Sequence, residues 1–427
     1  MARDCNFIQR QGKLTAHSFV NALMYGVIQD DFVSLLGLKH ELEEFDCTIS
    51  KTALHKRFTK EAVAFTKRLL ADQISKRLQV NTELHNKIFK QICIKDSTKF
   101  RLPDSMENDF PGYRFKNLEK QPKSMINIQY EYDLLSGNWL TLDFTKVNRN
   151  DQCDSKETIY QLTKNSLYIR DLGYVTLPYL QAVEAAQSYY LNRLPHHTTV
   201  CIEKEGHLTK IDWISLHKEM RKTGQIFQEI QVCLGNLNML KTRMVIFREN
   251  DAVYEKRVRK LSNKRLGKNG FKVTDEYKAR SHYSIFITNV PQENLSAYQI
   301  RDIYKCRWQI EIIFKAWKSH VKIGSFREMG KERFECQLMA KFIWILLYWK
   351  VFQTMNSLMK SIDKNVSCSI IKFYIRAKKL SSVFRKLSSQ KLGIYDWLKT
   401  NSISFAYSLK VEVKKGRLNK NQIIMSI

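Results

Sequence analysis

The sequence lacks paired cysteines and long apolar runs. Its nine cysteines are scattered over 427 residues without a Cys-X-X-Cys pair, which argues against a disulfide framework and against a zinc site. The most apolar run, residues 342–349, is flanked by lysines and is far shorter than the ~20 residues that a membrane helix needs. Residues 1–13 contain no apolar signal core. We therefore expect a cytoplasmic protein without a membrane partner.

Acidic residues are scarce relative to basic ones. The chain has 42 Asp and Glu against 71 Lys and Arg, a formal net charge of +29 and an isoelectric point near 9.7. Self-repulsion of this size is best tolerated beside a polyanion, so we expect nucleic acid first and an anionic membrane surface second. A hydrophobic content of 44% and an aromatic content of 11% indicate a folded chain, long enough for two or three domains.

The segment 304–318, YKCRWQIEIIFKAWK, has polar residues at a helical spacing. Four of them stand at i, i+3, i+7 and i+14: Tyr304, Arg307, Glu311 and Lys318. If the segment is a single helix, these four side chains form one stripe. The other faces of the helix carry bulky apolar residues: Ile303, Trp308, Ile310, Ile312, Ile313, Phe314 and Trp317. We therefore expect the helix to be mostly buried. A carboxylate among cations suits a metal ion and a polyanion.

A simpler interpretation is that Glu311 pairs with Arg307 and Lys315 on a solvated face. However, the spacing Tyr-X2-Arg-X3-Glu-X6-Lys resembles the signature of insertion-sequence transposases with an Asp-Asp-Glu (DDE) catalytic triad. That group includes cut-and-paste enzymes that form hairpin intermediates. The resemblance implies that two matching aspartates stand elsewhere in the chain.

After about residue 90 the sequence alternates between strand and helix patterns. Strands are predicted over residues 92–102, 125–135, 139–147, 166–174 and 189–194, and helices over residues 155–163 and 176–186. Strand, helix, strand order after residue 165 predicts parallel pairing. Asp96 lies in the first strand, and Asp171 lies at the carboxyl end of the fourth, where α/β sheets place their sites. The pattern suits an α/β, ribonuclease H-like core, although either aspartate alone is more often a cap or turn residue.

By the resemblance, Asp96, Asp171 and Glu311 are the catalytic carboxylates, since these transposases carry them in the order strand, strand, helix. Three converging carboxylates would form a hard-oxygen site for two Mg²⁺ or Mn²⁺ ions. The resemblance implies that Asp96 bridges the two ions. The residues that the resemblance implies for DNA contacts are Tyr304, Arg307, Lys318 and, more weakly, Arg193. One departure is Leu172, where relatives carry Arg before Gly-Tyr; here Arg170 stands on the other side of the aspartate.

Residues 1–88 are expected to form a helical DNA-binding region. Helices are predicted over residues 16–28 and 31–36, and Ser50 can cap a third helix that begins at Lys51. As the reading helix of a helix-turn-helix, this third helix would present basic residues to the major groove: Lys51, His55, Lys56 and Arg57. A small helical bundle with solvated basic residues fits the same pattern.

Further expectations concern the rest of the chain. The catalytic core would span residues 89–350, with a β-rich insertion at about 196–290 that contains a strongly basic segment, residues 255–280. The basic helical region 351–427 could bind DNA or a second subunit, and the resemblance implies a homodimer in the synaptic complex. Hairpin-forming relatives stack an aromatic of the insertion on a flipped base; the nearest aromatic here, Tyr283, is expected to pack in the core.

The expected function is metal-dependent cleavage of double-stranded DNA at the terminal inverted repeats of an insertion sequence, followed by strand transfer into target DNA. Two alternatives remain open at this point. One is a catalytically inactive DNA-binding descendant of such an enzyme, and the other is a metal-dependent nuclease without strand transfer. In each case the protein would associate with the bacterial nucleoid when bound to DNA.

Overall fold

The structure, a computed structural model, describes residues 1–29, 33–77, 88–113, 122–236, 239–266, 274–363, 366–389, 393–412, 418 and 420–427. Its α-helices are α1 Ala16–Gln29, α2 Leu35–Glu43, α3 Lys51–His55, α4 Lys60–Ser75, α5 Asp151–Glu157, α6 Leu177–Ala185, α7 Trp213–Thr223, α8 Asp251–Leu266, α9 Asp275–Ser281, α10 Ala297–Lys305, α11 Trp308–Ala316, α12 Lys331–Ile362, α13 Ile370–Ser389, α14 Ile394–Thr400, α15 Ser402–Leu409 and α16 Lys420–Met425.

The strands belong to a large mixed sheet. They are β1 Gln91–Arg101, β2 Met125–Asp133, β3 Trp139–Thr145, β4 Ser166–Arg170, β5 Tyr189–Arg193, β6 Val200–Lys204, β7 His207–Lys210, β8 Phe227–Leu234, β9 Leu240–Arg248 and β10 Tyr283–Thr288. The chain divides into two compact units, of which the first comprises Met1–Glu83, Asp96–Arg149 and Trp308–Arg417. The second comprises Leu84–Lys95, Asn150–Arg307 and Leu418–Ile427, so that the division falls within β1.

The first unit is organised around the long helix α12, which packs against α1 and α4. Helix α2 packs in turn on α1 and α3, and β2 pairs antiparallel with β3. An aromatic cluster forms much of the core; it contains Tyr130, Trp139, Phe314, Trp317 and Phe342. No helix formed by the described residues is both long and apolar enough to cross a membrane.

In the second unit the strand order is β1-β4-β5-β10-β9-β8-β6-β7. Strand β4 pairs in parallel with both β1 and β5, and α6 makes the connection from β4 to β5, as the strand, helix, strand pattern predicts. From β10 onward the pairing is antiparallel. The predicted insertion therefore consists of antiparallel strands together with α7, α8 and α9.

Local capping explains where several helices begin. Ser50 accepts a hydrogen bond from the Ala53 amide at 3.1 Å, and α3 starts at Lys51 as predicted. The helix predicted over residues 31–36 begins later than predicted: Ser34 has an extended backbone and caps α2 from Leu35, while residues 31 and 32 lie outside the described part. The helix predicted over residues 155–163 is also misplaced, because Asn150 caps α5 and only a single turn, Ile159–Gln161, follows.

Candidate active site

Of the two predicted aspartates, Asp96 lies within β1 and Asp171 directly follows the carboxyl end of β4. Lys95 of β1 pairs with Arg170 of β4 in the parallel ladder, and Asp96 and Asp171 follow this pair directly in sequence. Asp171 has an extended backbone and precedes a short turn, Leu172–Tyr174, and its side chain is 48% exposed. Asp96 is half-buried and accepts a hydrogen bond from the Ser97 amide at 2.7 Å. Because successive side chains of a strand alternate, Asp96 faces away from the side on which Lys95 lies.

The segment 304–318 is not one helix, so the prediction of a single polar stripe is wrong. Helix α10 ends at Lys305, and α11 begins at Trp308. Between them the Arg307 amide donates to the Tyr304 carbonyl at 3.1 Å, a three-residue spacing that tightens the chain and ends the α-helical register. After Ala316 the chain widens into a π-helical turn, Trp317–Val321, which carries Lys318.

Within the second unit, four of the predicted residues come together. The Arg307 Nε atom lies 4.0 Å from Asp171 Oδ1, and the Arg307 side chain is 15% exposed. Burial raises the pKa of Tyr304 to about 12, although the nearby positive charges of Arg307 and Arg193 oppose this shift. The Tyr304 ring contacts Phe286 of β10 edge to face, at 5.2 Å between centroids. Tyr304 therefore keeps its proton at neutral pH and can donate it in a hydrogen bond.

Within the first unit, Glu311 lies in the first turn of α11, where the helix dipole favours a negative charge. Its side chain is half-buried. Trp317 is 0% exposed, as expected, and Lys318 beside it is exposed, with partial burial lowering its lysine pKa. Trp308 is 58% exposed, so the expectation that this residue is buried is wrong. Helical periodicity identifies neighbouring faces but not the one that meets the core.

The basic residues predicted for DNA contacts in the amino-terminal region are exposed. Helix α3 is only five residues long, and Leu54, at 1% exposure, is the residue that anchors it to its unit. Its other positions and the following turn point basic side chains to solvent: Lys51, His55, Lys56 and Arg57.

The basic segment 255–280 divides into exposed and structural cations. Lys256, Arg259 and Lys260 of α8 are exposed. Arg257 instead donates to the carbonyls of Ser281 at 2.9 Å and Tyr283 at 2.7 Å. The rest of the segment's predicted surface includes residues 267–273, which lie outside the described residues, as do the side chains of residues 261–266.

Two aromatic and basic residues of the insertion are committed to the core. Arg280 is 4% exposed, donates to the Pro195 carbonyl at 2.8 Å and lies over the Trp213 ring at 4.7 Å. Tyr283 is 2% exposed, and its hydroxyl lies 2.9 Å from His217 Nδ1, which confirms its expected place in the core. Tyr283 is therefore not available to stack on a flipped base.

The chemistry of the predicted carboxylates suits a divalent cation. The carboxylate oxygens of Asp and Glu are ligands that Mg²⁺ and Mn²⁺ prefer. The exposure of Asp171 leaves its carboxylate oxygens accessible. Among the residues that the structure describes, no group of three or more Asp, Glu, His or Cys side chains has the arrangement of a metal site. The three-ligand assignment therefore stays a prediction.

Comparison with known proteins identifies the family. Residues 87–347, more than half of the chain, match the family described as "Transposase DDE domain". The chain belongs to the DDE transposase family. This confirms the resemblance inferred from the segment 304–318 at the level of insertion-sequence transposases, while membership of the Tyr-Arg-Glu-Lys subgroup stays a prediction.

Several insertion-sequence transposases are similar to this transposase over most of their length. It is 29% identical over 366 residues to the transposase for insertion sequence element IS231F of Bacillus thuringiensis subsp. israelensis, covering 81% of this chain and 75% of that relative. Identity to the IS231E transposase of Bacillus thuringiensis subsp. finitimus is 30% over 369 residues, with the same coverage. Identity to the IS1151 transposase of Clostridium perfringens is 28% over 386 residues, covering 85% and 79%.

One buried ion pair, next in sequence to the candidate ligand Asp96, was not predicted from the sequence. Lys95 and Asp154 form an ion pair in which both side chains are 0% exposed. The only signal in the sequence is a lysine inside an apolar strand and an aspartate in a polar helix, neither of which is specific.

Proposed function

We propose that this transposase cleaves double-stranded DNA at the terminal inverted repeats of its insertion sequence and joins the ends to target DNA. Asp96, Asp171 and Glu311 are the proposed catalytic carboxylates and metal ligands, on a ribonuclease H-like core. The observation that carries the proposal is that Asp96 and Asp171 directly follow a pair of register partners, Lys95 and Arg170, in neighbouring parallel strands. Because register partners of a parallel ladder lie side by side, the residues that directly follow them are placed to share a site.

Asp96, Asp171 and Glu311 would together hold two Mg²⁺ or Mn²⁺ ions, with Asp96 contributing to the binding of both and Asp171 and Glu311 to one each. Two such ions would activate a water or a 3′-hydroxyl and stabilise the leaving oxygen of an in-line displacement at phosphorus. The protein itself then needs no covalent nucleophile. Its part is to bind the DNA end, orient the scissile phosphate and keep the carboxylates in place.

Two cationic side chains of the segment 304–318 are suited to hold that phosphate. Arg307, close to Asp171, can donate two parallel hydrogen bonds to phosphate oxygens, whereas Lys318 acts as a point charge. Tyr304, whose hydroxyl is protonated at neutral pH and whose pKa burial raises further to about 12, would donate a further hydrogen bond. Arg193 adds positive charge on the same side of the second unit, as its effect on the pKa of Tyr304 indicates.

Three regions would share the work. Residues 1–88 would bind the terminal repeats, with α3 and the turn after it as the contact surface: Lys51, Lys56 and Arg57. Residues 89–350 would form the catalytic core, whose exposed cations on α8 add contacts to the DNA backbone. The basic region 351–427 would contact DNA or the second subunit of a synaptic homodimer. A hairpin intermediate, as in cut-and-paste relatives of the Tyr-Arg-Glu-Lys subgroup, would need an aromatic other than the buried Tyr283.

The proposal can be tested by comparing the natural chain with Glu311→Gln on DNA that carries the element's own ends, in Mg²⁺ or Mn²⁺. Glutamine keeps the shape of the side chain but removes the charge that a cation requires. A matched control is Glu328→Gln, since Glu328 is an exposed glutamate of the same unit outside the proposed site. We expect joined products with the natural chain and the control, and none with Glu311→Gln, while all three proteins still bind the ends.

The other outcomes separate the alternatives. Binding of the ends without chemistry by the natural chain would favour an inactive DNA-binding descendant. Cleavage without joined products would favour a nuclease, and full strand transfer by Glu311→Gln would overturn the triad assignment.

A further inference from the structure

Helix α5 is fastened to β1 at the residue directly before one candidate ligand. Lys95 Nζ lies 2.5 Å from Asp154 Oδ2, and neither side chain is exposed to solvent, both being at 0%. Lys95 is in β1 and Asp154 is in α5, so this ion pair fixes the helix against the part of the strand that directly precedes Asp96.

The same helix is fastened to β4 at the residue directly before the other candidate ligand. Arg170 is 1% exposed, and its Nη1 atom donates to Ser155 Oγ at 3.3 Å. The guanidinium lies 4.3 Å from the centroid of the Tyr179 ring, which adds a cation–π contact. On the other side, Asn192 Nδ2 donates to the Arg170 carbonyl at 3.0 Å, which ties this strand end to β5.

Helix α5 also holds the turn that follows Asp171. Ser155 Oγ donates to the Tyr174 carbonyl at 2.9 Å, at the end of the turn Leu172–Tyr174. At Gly173 a Cβ atom would lie 3.1 Å from Asp151 Oδ2, so the first residue of α5 approaches this turn closely. The backbone is thereby held on both sides of Asp171 and immediately before Asp96.

A buried ion pair is weak evidence for stability, since removing two charges from water offsets most of their attraction. Its more useful effect is to specify one arrangement, because an unpaired buried charge is strongly disfavoured. We propose that Lys95, Asp154 and Arg170 are positioning residues that hold the backbone next to each candidate ligand, Asp96 and Asp171, in the conformation that divalent-cation binding requires. The inference deepens the proposed function and rests on it, because it takes these two aspartates as ligands.

The decisive variant replaces the ion pair by apolar residues of similar size, Lys95→Met with Asp154→Leu. Replacements of this kind are often neutral or stabilising, so we expect the variant to fold with an undiminished free energy of unfolding. The full chain is bound to a duplex of the element's terminal repeat, and Mn²⁺ binding is measured by electron paramagnetic resonance with the duplex alone subtracted. We expect the Kd for Mn²⁺ to rise at least about tenfold. The Mg²⁺ concentration needed for half-maximal cleavage should rise in parallel, and replacing Mg²⁺ by Mn²⁺ should restore part of the cleavage activity. A folded variant with the natural Mn²⁺ affinity would overturn the inference.

A control and a second variant keep the test sharp. The matched control is Arg243→Met with Glu229→Leu, a pair 2.8 Å apart at 5% and 18% exposure on β9 and β8, strands that are not adjacent to β1 or β4. It should reduce stability, because Arg243 also donates to the Val290 and Leu295 carbonyls, but leave Mn²⁺ affinity unchanged. If the control weakens Mn²⁺ binding to the same extent, the effect of the apolar variant reflects general destabilisation, and the inference is refuted.

If the apolar variant does not fold, Ser155→Ala provides a second test, because it removes the contacts with Arg170 and Tyr174. It should give a smaller rise in the Kd for Mn²⁺, and no rise would refute the inference.

One further arm separates the inference from the proposed function. Asp96→Asn should abolish Mn²⁺ binding above the duplex background. Loss in Asp96→Asn with natural affinity in the apolar variant would refute only the positioning role. Natural affinity in Asp96→Asn would refute the ligand assignment, and with it both the proposed site and the inference.

Discussion

Trp317 and Trp308 allow a direct test of how the segment that carries Glu311 is anchored. Trp317 is 0% exposed and its ring lies 4.9 Å from Tyr130, 5.4 Å from Trp139 and 5.4 Å from Phe342, measured between centroids. Trp308, the first residue of α11, is 58% exposed. We predict that Trp317→Ala lowers the free energy of unfolding by about 3–5 kcal/mol, the range for buried Trp to Ala in a core that collapses only in part.

The same measurement on Trp308→Ala should give a change within about 0.5 kcal/mol, as is usual for surface substitutions. Urea unfolding of the full chain, followed by circular dichroism, gives both values, and Trp317→Phe should fall between them because it keeps part of the ring contacts. A domain stability is typically only about 5–15 kcal/mol, so the predicted loss is large and easily resolved. Equal losses for the two alanine variants, or a loss below about 1 kcal/mol for Trp317→Ala, would refute the assigned packing.

The remaining predictions concern the amino-terminal region and the insertion. Ser50→Ala removes the cap of α3 and should lower stability by about 1 kcal/mol, measured by urea unfolding, with Ser50→Asn as the conservative control that restores the cap. Binding of terminal DNA should weaken steeply with salt, and Lys56→Ala should reduce the slope of log K against log salt by about one unit in a gel-shift titration; an unchanged slope would exclude a phosphate contact. His282 stacks on Tyr254 at 3.7 Å, and burial lowers its pKa to about 4. In the unfolded chain a His takes up its proton near pH 6.5, whereas folded His282 does so only near pH 4. The contribution of neutral His282 to the free energy of unfolding should therefore be complete above pH 6.5 and decrease between pH 6.5 and 4, by about 1 kcal/mol after solvent screening. His282→Gln should flatten the decline of Tm in that window, and an identical decline would contradict the assignment.

The sequence by itself determined many of the local elements and the family. Helix starts such as that of α3 depend on a cap and its neighbours a few residues away, and the strand before Asp171 depends on a short apolar run with a turn signal. The spacing from Tyr304 to Lys318 was enough to indicate an insertion-sequence DDE transposase. The spacing of residue types identifies the family even where the backbone is not a single helix. The excess of basic residues likewise indicated a polyanionic partner.

The tertiary structure decided which side of each element is buried and where regular geometry breaks. The chain between Lys305 and Trp308 leaves the helical register, and Trp308 faces solvent while Trp317 enters the core, although both residues continue the same apolar pattern. Likewise only packing distinguishes the buried Arg280 from its exposed basic neighbours and joins Lys95 to Asp154. Periodicity depends on bonds within a few residues, whereas burial and ion pairing depend on partners that are remote in sequence and meet only when the chain folds.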